Sequence, residues 1–337
     1  MPRRAIDARE EKGERLVAIG IDLGGTSARA AVVDAAGKVR GAAKRVHDLA
    51  GPERMADILR ELALEALGAA KVPESDVAAV GVGLAGQIHT GTGVVAVGPN
   101  LGWRQVPFGR LLRERLRWPV LVMNDLSAAA WGERAAGAGE GQDHVVLFFV
   151  GSGVGSALIL DGRLYEGATG VAGEIGHIKV VPGGRLCGCG ERGCLEAYCG
   201  GANLSAQVAE AVSAGRATTL AVGAAGGRRV TAAEIEQAAL RGDSLARELW
   251  DRCASLLPLA VANLSTVLNP AKVLLGGGVL ATAPELKKVV REEARRLTLA
   301  AARETLQITD ALLGDDAGVV GAATRALESA GRLEGVL

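Results

Sequence analysis

The chain has few cysteines, few histidines and no excess of charge, and each shortage excludes something. Its 337 residues carry 38 basic side chains against 38 acidic ones. That balance leaves no electrostatic footprint for nucleic acid or for an anionic membrane surface. Long apolar runs are missing too: the longest, LLPLAVANLSTVL, is broken by proline, asparagine and serine and is too short to span a bilayer. The opening MPRRAIDAREEKGER is charged and lacks the apolar stretch of a secretion signal, so a cytoplasmic location is expected. Five cysteines, an odd number, in a reducing compartment point to metal ligands rather than disulfides.

What is present is enough apolar material for a sizeable core. Hydrophobic residues make up 49% and charged residues 23%, and the length fits two domains or one large α/β domain. The run RLVAIGIDLGGTSARAAVVDAAGKVRGAAKRV reads as three strands in an antiparallel meander, bent at Gly-Gly-Thr and turned at Asp34 to Gly37. Met55, Ile58, Leu59, Leu62 and Leu67 recur at helical spacing in the next segment, which should lie on that sheet. VAAVGVGLAG and PVLVMND read as further strands, the latter running into a helix near SAAAWGER. HVVLFFVGSGVGSALILDGRLYEG then repeats the opening order of strand, glycine bend, strand, turn and strand. Beyond it, Thr231 and Glu234 suggest a capping box, DSLARELWDRCASLLPLAVANLSTVL a long helix bent at Pro258, AKVLLGGGVL a buried strand, and AGVVGAATRALESAG a final helix. The element pattern places a domain boundary near Asp125.

The scarce metal-binding residues are concentrated in one place. EIGHIKVVPGGRLCGCGERGCLE holds three of the five cysteines and one of the four histidines. Cys187, Cys189 and Cys194 with His177 offer three soft sulfurs and an imidazole, the donor set of a tetrahedral zinc site. Glu174 and Glu196 bracket the cluster, where carboxylates are strong acceptors for hydroxyl donors. Cys199 and Cys253 read as plain buried thiols.

The glycine motifs are weak singly and stronger together. GSGVGS, from Gly151 to Ser156, is followed by a strand rather than the helix a dinucleotide fingerprint requires. DLGGTS, from Asp22 to Ser27, lets backbone amides approach an anion, with the Thr26 hydroxyl nearby and Asp22 placed to hold a hydrated magnesium ion. With GGG at Gly276 to Gly278, these bends predict a nucleotide cleft between two similar halves. Asp125 follows a β-run and precedes a helix, so it is either a helix cap or a general base at a strand end.

DLGGTS, NDLSAAAWGE, EIGH, CGCGERGCLEAY and NPAKVLLGGGVL stand in an order that resembles the ROK family of sugar kinases and repressors, over nearly the whole chain from Leu16 onward. The resemblance implies a two-domain α/β fold of the actin, Hsp70 and hexokinase type, ribonuclease H-like, whose last helix returns to the first domain. The expected domains are 1–125 plus 315–337, and 126–314 with the zinc loop. It also implies ATP-dependent phosphorylation of a hexose, glucose favoured, with Asp125 as base and Asn124, Glu174, His177, Glu196 and, more weakly, Asn100 as sugar contacts. Gly24, Gly25, Thr26, Gly151 and Gly153 would cradle the phosphates of Mg-ATP, Gly277 and Gly278 would approach adenosine, and zinc would be a structural clip. A homodimer or homotetramer is the family's common assembly. N-acetylmannosamine, N-acetylglucosamine, fructose or mannose would fit the same motifs. A non-catalytic sugar sensor is the other reading, yet fewer than twenty residues precede the first strand, so no DNA-binding helix-turn-helix is expected. One family departure is Ser127, where relatives often carry asparagine.

Overall fold

The computed structural model describes residues 16–48, 51–221 and 228–333. The charged opening segment lies outside the described residues. Strands β1 (Val17–Leu23), β2 (Ser27–Asp34) and β3 (Val39–Val46) form the expected meander. β1 and β2 pair from Val17 with Asp34 to Leu23 with Ala28, so the ladder stops at the Gly24–Gly25 bend. Gly37, at φ 77°, takes the left-handed position of the second turn, where only glycine is unstrained. Helix α1 (Pro52–Ala70) starts with proline in its first turn, a position that needs no amide donor. It buries Met55, Ile58, Leu59, Leu62 and Leu67 against β2 and β3.

β4 (Val77–Leu84) lies parallel to β1. The next segment folds into a small antiparallel sheet of β5 (Gln87–His89), β6 (Val94–Gly98) and β7 (Trp103–Val106). Helix α2 (Phe108–Arg113) leads to β8 (Val120–Asn124), parallel to β4, and α3 (Asp125–Ala136) comes next without an intervening loop. The first large sheet thus runs β3-β2-β1-β4-β8.

The pattern then repeats. β9 (Val145–Val150) and β10 (Val154–Leu160) are antiparallel, and a turn leads to the short β11 (Arg163–Leu164). Helices α4 (Glu196–Cys199), α5 (Gly201–Ser213), α6 (Ala232–Leu240) and α7 (Ser244–Leu268) come after it. α6 opens with the capping box: the Thr231 hydroxyl accepts from the Glu234 amide and Glu234 Oε2 accepts from the Thr231 amide. α7 is helical on both sides of Pro258. β12 (Lys272–Gly276), α8 (Gly278–Thr282), α9 (Pro284–Leu297), a single helical turn at Ala300–Arg303, β13 (Gln307–Asp310) and α10 (Ala317–Leu333) follow. The order β10-β9-β12-β13 reproduces β2-β1-β4-β8, an antiparallel pair extended by two parallel strands.

The described residues form two compact units. One holds those up to Gln142, Gly162–Ala172 and those from Leu312 on; the other holds Asp143–Asp161 and Gly173–Ala311. The division falls after α3, at Gln142, whereas the element pattern had suggested Asp125. The physical reason is a backbone-close seam between α3 and α10. A Cβ on Gly321 would stand 1.7 Å from the Ala128 carbonyl oxygen, and one on Gly132 would stand 2.3 Å from that of Ala317. α10 meets the sheet equally closely, since Cβ atoms on Gly20 and Gly81 would come within 1.8 and 1.9 Å of the carbonyl oxygens of Val319 and Ala322. No larger residue fits these positions without moving backbone. Each unit has its own apolar core, around Ile19, Leu59 and Val82 in the first and around Phe148, Leu257 and Leu275 in the second. No helix among the described residues is long and apolar enough to cross a membrane.

Candidate active site

In the first unit the sequence-predicted residues gather at one end of the sheet. Asp22 on β1 is the register partner of Gly83 on β4, which pairs in turn with Met123 on β8, one residue before Asn124. Parallel register therefore brings Asp22 and the start of α3 to the same edge. The Gly24 amide closes the bend on the Ser27 carbonyl at 2.9 Å, and Thr26 at its tip is exposed. Gly25 packs against Asn100, where a Cβ would be 3.1 Å from the Asn100 carbonyl oxygen. His47, which the sequence reading did not single out, supports the bend from behind. Its amide donates to the Thr26 carbonyl at 3.0 Å, and its buried ring lies 3.1 Å from both the Gly24 and the Asp48 carbonyl oxygens.

Asn124, not Asp125, is the helix cap. Its side-chain oxygen accepts from the Leu126 and Ser127 amides at 2.9 and 3.0 Å, and its Nδ2 donates to the Gly86 carbonyl at 3.1 Å. Most of its hydrogen-bonding capacity is therefore committed locally. Asp125, relieved of the main capping role, accepts from the Leu126 amide through Oδ1 at 3.0 Å and is half-buried.

Asp22 sits in an unfavourable place for a charge. Burial, and after it the nearby Asp125 carboxylate, push its pKa from the ordinary 3.8 up to about 6, against the partial relief of Arg29. At about 1.4 kcal/mol per pH unit, ionising it in the folded state costs roughly 3 kcal/mol. Well below pH 3.8 both folded and unfolded chains are protonated and nothing is lost. As pH rises from 4 to 6 the unfolded chain ionises first, so the stability contribution falls, and above 6 the full penalty applies. Asp22→Asn is accordingly expected to stabilise the ligand-free protein by up to roughly 3 kcal/mol at pH 7.5 and by only about 0.5 kcal/mol at pH 4. Denaturant unfolding at both pH values checks this; an equal change at the two would refute it.

In the second unit the four candidate metal donors converge. The ligand atoms of His177, Cys187, Cys189 and Cys194 all lie within 4.8 Å of one another, with Cys187 Sγ 3.7 Å from His177 Nδ1 and Cys189 Sγ 3.7 Å from Cys194 Sγ. Sulfurs bound tetrahedrally at about 2.3 Å from zinc would be about 3.8 Å apart, so the set fits that ion. Nδ1 is the ring nitrogen facing the sulfurs; Nε2 points to Glu174 Oε2 at 3.9 Å. Burial, with the neighbouring Glu196, holds Glu174 above the usual carboxylate range despite the pull of His177. Lys179 Nζ, 3.2 Å from Cys194 Sγ, supplies a positive charge beside the sulfurs that the sequence reading missed.

Glu196, the first residue of α4, is tied to the second glycine hairpin. Its Oε2 accepts from the Val154 amide at 2.9 Å, and a Cβ on Gly153 would be only 2.3 Å from that oxygen. The amides of Gly201 and Ala202 donate to the carbonyls of Gly151 and Ser152, both at 2.9 Å, so the cysteine segment and the hairpin are joined at three points. Gly277, at φ 95°, passes so near β9 that a Cβ would lie 2.4 Å from the Val150 carbonyl oxygen, while Gly278 faces open space. Thus Asp22, Gly24, Gly25, Thr26, Asn100, Asn124 and Asp125 belong to the first unit. Gly151, Gly153, Glu174, His177, the three cysteines, Glu196, Gly277 and Gly278 belong to the second. A cavity of about 210 Å³ in the first unit, lined by Arg60, Arg115, Arg117 and Trp118, touches none of these residues. Two of its arginines are already paired, Arg115 to Asp57 and Arg117 to Glu74.

Two α/β units with repeated strand order, each carrying a glycine-bent hairpin, define the actin-like sugar-kinase fold. Residues 18–329 match the sequence profile of the ROK family, and the chain belongs to that family. A glucokinase from Halalkalibacterium halodurans is 33% identical over 305 residues, covering 90% of this chain and 92% of the relative. Among solved structures, a ROK hexokinase from Thermus thermophilus superposes with a TM-score of 0.81 at 32% identity, covering 94% of this chain and 100% of that one. A ROK glucokinase from Streptomyces griseus in complex with glucose and AMPPNP gives 0.75 at 35% identity, covering 93% and 99%.

Proposed function

We propose that the chain transfers the γ-phosphoryl group of ATP to the 6-hydroxyl of glucose, giving glucose 6-phosphate and ADP. The observation that supports this most is the placement of two carboxylates, Asp125 and Asp22, at one sheet edge beside a glycine bend, in a chain whose relatives are named glucokinases. Asp125 accepts the hydroxyl proton as that oxygen attacks the γ-phosphorus, and the bond to the bridging oxygen of ADP breaks. Asp22 would organise magnesium, which would neutralise charge on the phosphates. The hairpin amides around Gly24 and Gly151 would orient the phosphates, and Gly277 and Gly278 would lie along the adenosine. Little covalent chemistry is asked of the protein, so positioning and electrostatics supply most of the rate.

Glu174, His177 through Nε2, and Glu196 would hold sugar hydroxyls, with Asn124 and Asn100 assisting. Zinc in the four-donor set would brace the loop carrying them; with no open position it would activate no water. Another hexose as the preferred substrate would retain every residue named here. A coupled ADP-release assay across glucose, mannose, fructose, N-acetylmannosamine and N-acetylglucosamine tests the choice, and the highest kcat/KM is expected for glucose. Loss of either glutamate should act on the sugar far more than on ATP. Glu174→Ala is expected to raise the glucose KM about tenfold or more and leave the ATP KM within about twofold, since a lost charged hydrogen bond is worth about 1.5–3 kcal/mol. Equal effects on both substrates would remove Glu174 from the sugar site.

A further inference from the structure

Glu133 lies on α3, two turns beyond Asp125, and is fully buried. Its carboxylate is filled by backbone donors. The Leu312 and Leu313 amides reach Oε1 at 2.8 and 2.7 Å, and the Ala138 amide reaches Oε2 at 2.8 Å. These donors flank the two places, near Gln142 and Leu312, where the chain leaves the first unit and finally re-enters it. The loop is shaped around the carboxylate: a Cβ on Gly137 would stand 2.4 Å from Oε2, and the Glu133 carbonyl accepts from the Gly137 and Gly139 amides at 3.0 and 2.8 Å. Burying a carboxylate is unfavourable unless its lone pairs are so occupied. An apolar side chain would strand three backbone amides, so the carboxylate ties α3 to the Leu312 loop, and that tie needs a reason.

That reason lies just beyond Leu313. The next residues, Gly314–Asp316, form a single turn held by Arg29, whose Nη1 donates to the Asp315 carbonyl at 2.8 Å and which also pairs with the Asp316 carboxylate. Two residues later the chain passes so near Asp22 that a Cβ on Gly318 would lie 3.3 Å from its carboxyl carbon. Arg29 is itself the register partner of Asp22. The segment from Leu312 to Gly318 is therefore one wall of the Asp22 environment, and Glu133 fixes its start. Asp125, by contrast, is held at the opposite end of α3 by β8 and the Asn124 cap.

We propose that Glu133 is a positioning residue for the magnesium–nucleotide side of the site, holding residues 312–318 against Asp22 through the Leu312 and Leu313 amides. It touches no substrate. The inference rests on the kinase reading only in naming the nucleotide, and its test uses binding rather than turnover, so a failed glucokinase assay and a failed role for Glu133 would be distinguishable. Glu133→Gln keeps the size but turns an amide donor toward a backbone donor. In the ligand-free variant, hydrogen exchange at the amides of Ala138, Leu312 and Leu313 is expected to accelerate about tenfold or more, while β1 and β8 amides keep their rates. The Kd for magnesium with a non-hydrolysable ATP analogue should rise about tenfold and that for glucose stay within about twofold. If exchange accelerates but nucleotide affinity is unchanged, or if both ligands weaken by the same factor, the positioning role is overturned. Should the glutamine variant not fold, Glu133→Asp, which keeps the charge and shortens its reach, must show the same selective loss, and an unaltered nucleotide Kd would overturn the role.

Discussion

Asp125→Asn is expected to lower kcat by about 10²- to 10⁴-fold, the range associated with loss of a positioned general base. The substitution keeps shape and keeps an oxygen for the Leu126 amide that Oδ1 now accepts. It leaves the helix start intact, because Asn124 rather than Asp125 supplies the main cap, to Leu126 and Ser127. Folding should therefore be preserved, with a melting temperature near that of the parent. An amide cannot take the hydroxyl proton at neutral pH, so the loss should fall on kcat while the glucose Kd changes by less than about threefold. Residual turnover would come from phosphate orientation and charge neutralisation, which do not pass through this side chain. Steady-state kinetics with an equilibrium glucose titration checks the split, and an undiminished kcat would end the assignment of Asp125 as base.

Removal of metal should have an effect of comparable size on a different property. One zinc per chain is expected by elemental analysis, and a four-donor site of this type contributes on the order of 10 kcal/mol to folding of the segment it closes. The segment needs such a clip. Gly183, Gly190 and Gly193 hold positive φ angles, and among the described residues the segment is crossed by isolated bridges, Lys179 with Cys194 and Leu186 with Arg192, and by turn hydrogen bonds rather than by a strand ladder. Three thiolates and a neutral imidazole around a divalent cation leave one net negative charge, which Lys179 is placed to offset. Stripping the ion, or Cys194→Ser, is expected to make residues 178–195 sensitive to limited proteolysis and to abolish measurable glucose affinity, because Glu174, His177 and Glu196 lie on or beside this segment. Nucleotide affinity should fall less, since the second hairpin keeps the pairing of β9 with β10. A metal-free preparation that is folded and fully active would overturn the clip.

Much of the local structure was written in short-range pattern. The meander, α1 with its apolar stripe, the repeated glycine hairpin, the capping box at Thr231 and the strand before Gly276 all come from the periodicity of side chains and the conformational freedom of glycine. The cluster of cysteines and histidine that could hold a metal was legible for the same reason: a rare residue type repeated at close spacing stands out in the chain. The small sheet β5-β6-β7 was not, since its strands are three to five residues long and separated by turns.

Sequence by itself determined the family motifs and the order in which they occur, and with them the residues proposed for the site. Tertiary structure alone decided how they are held. The placement of α3 with the first unit depends on glycines 132 and 321, nearly two hundred residues apart, meeting backbone to backbone. The burial that raises Asp22, the commitment of Asn124 to its cap, the bond from Glu196 to Val154 and the clasp of Glu133 on Leu312 and Leu313 join residues distant in the chain or depend on what surrounds them. Periodicity reports the face a residue turns to its own element, whereas desolvation and hydrogen-bond partnership depend on which other element arrives there.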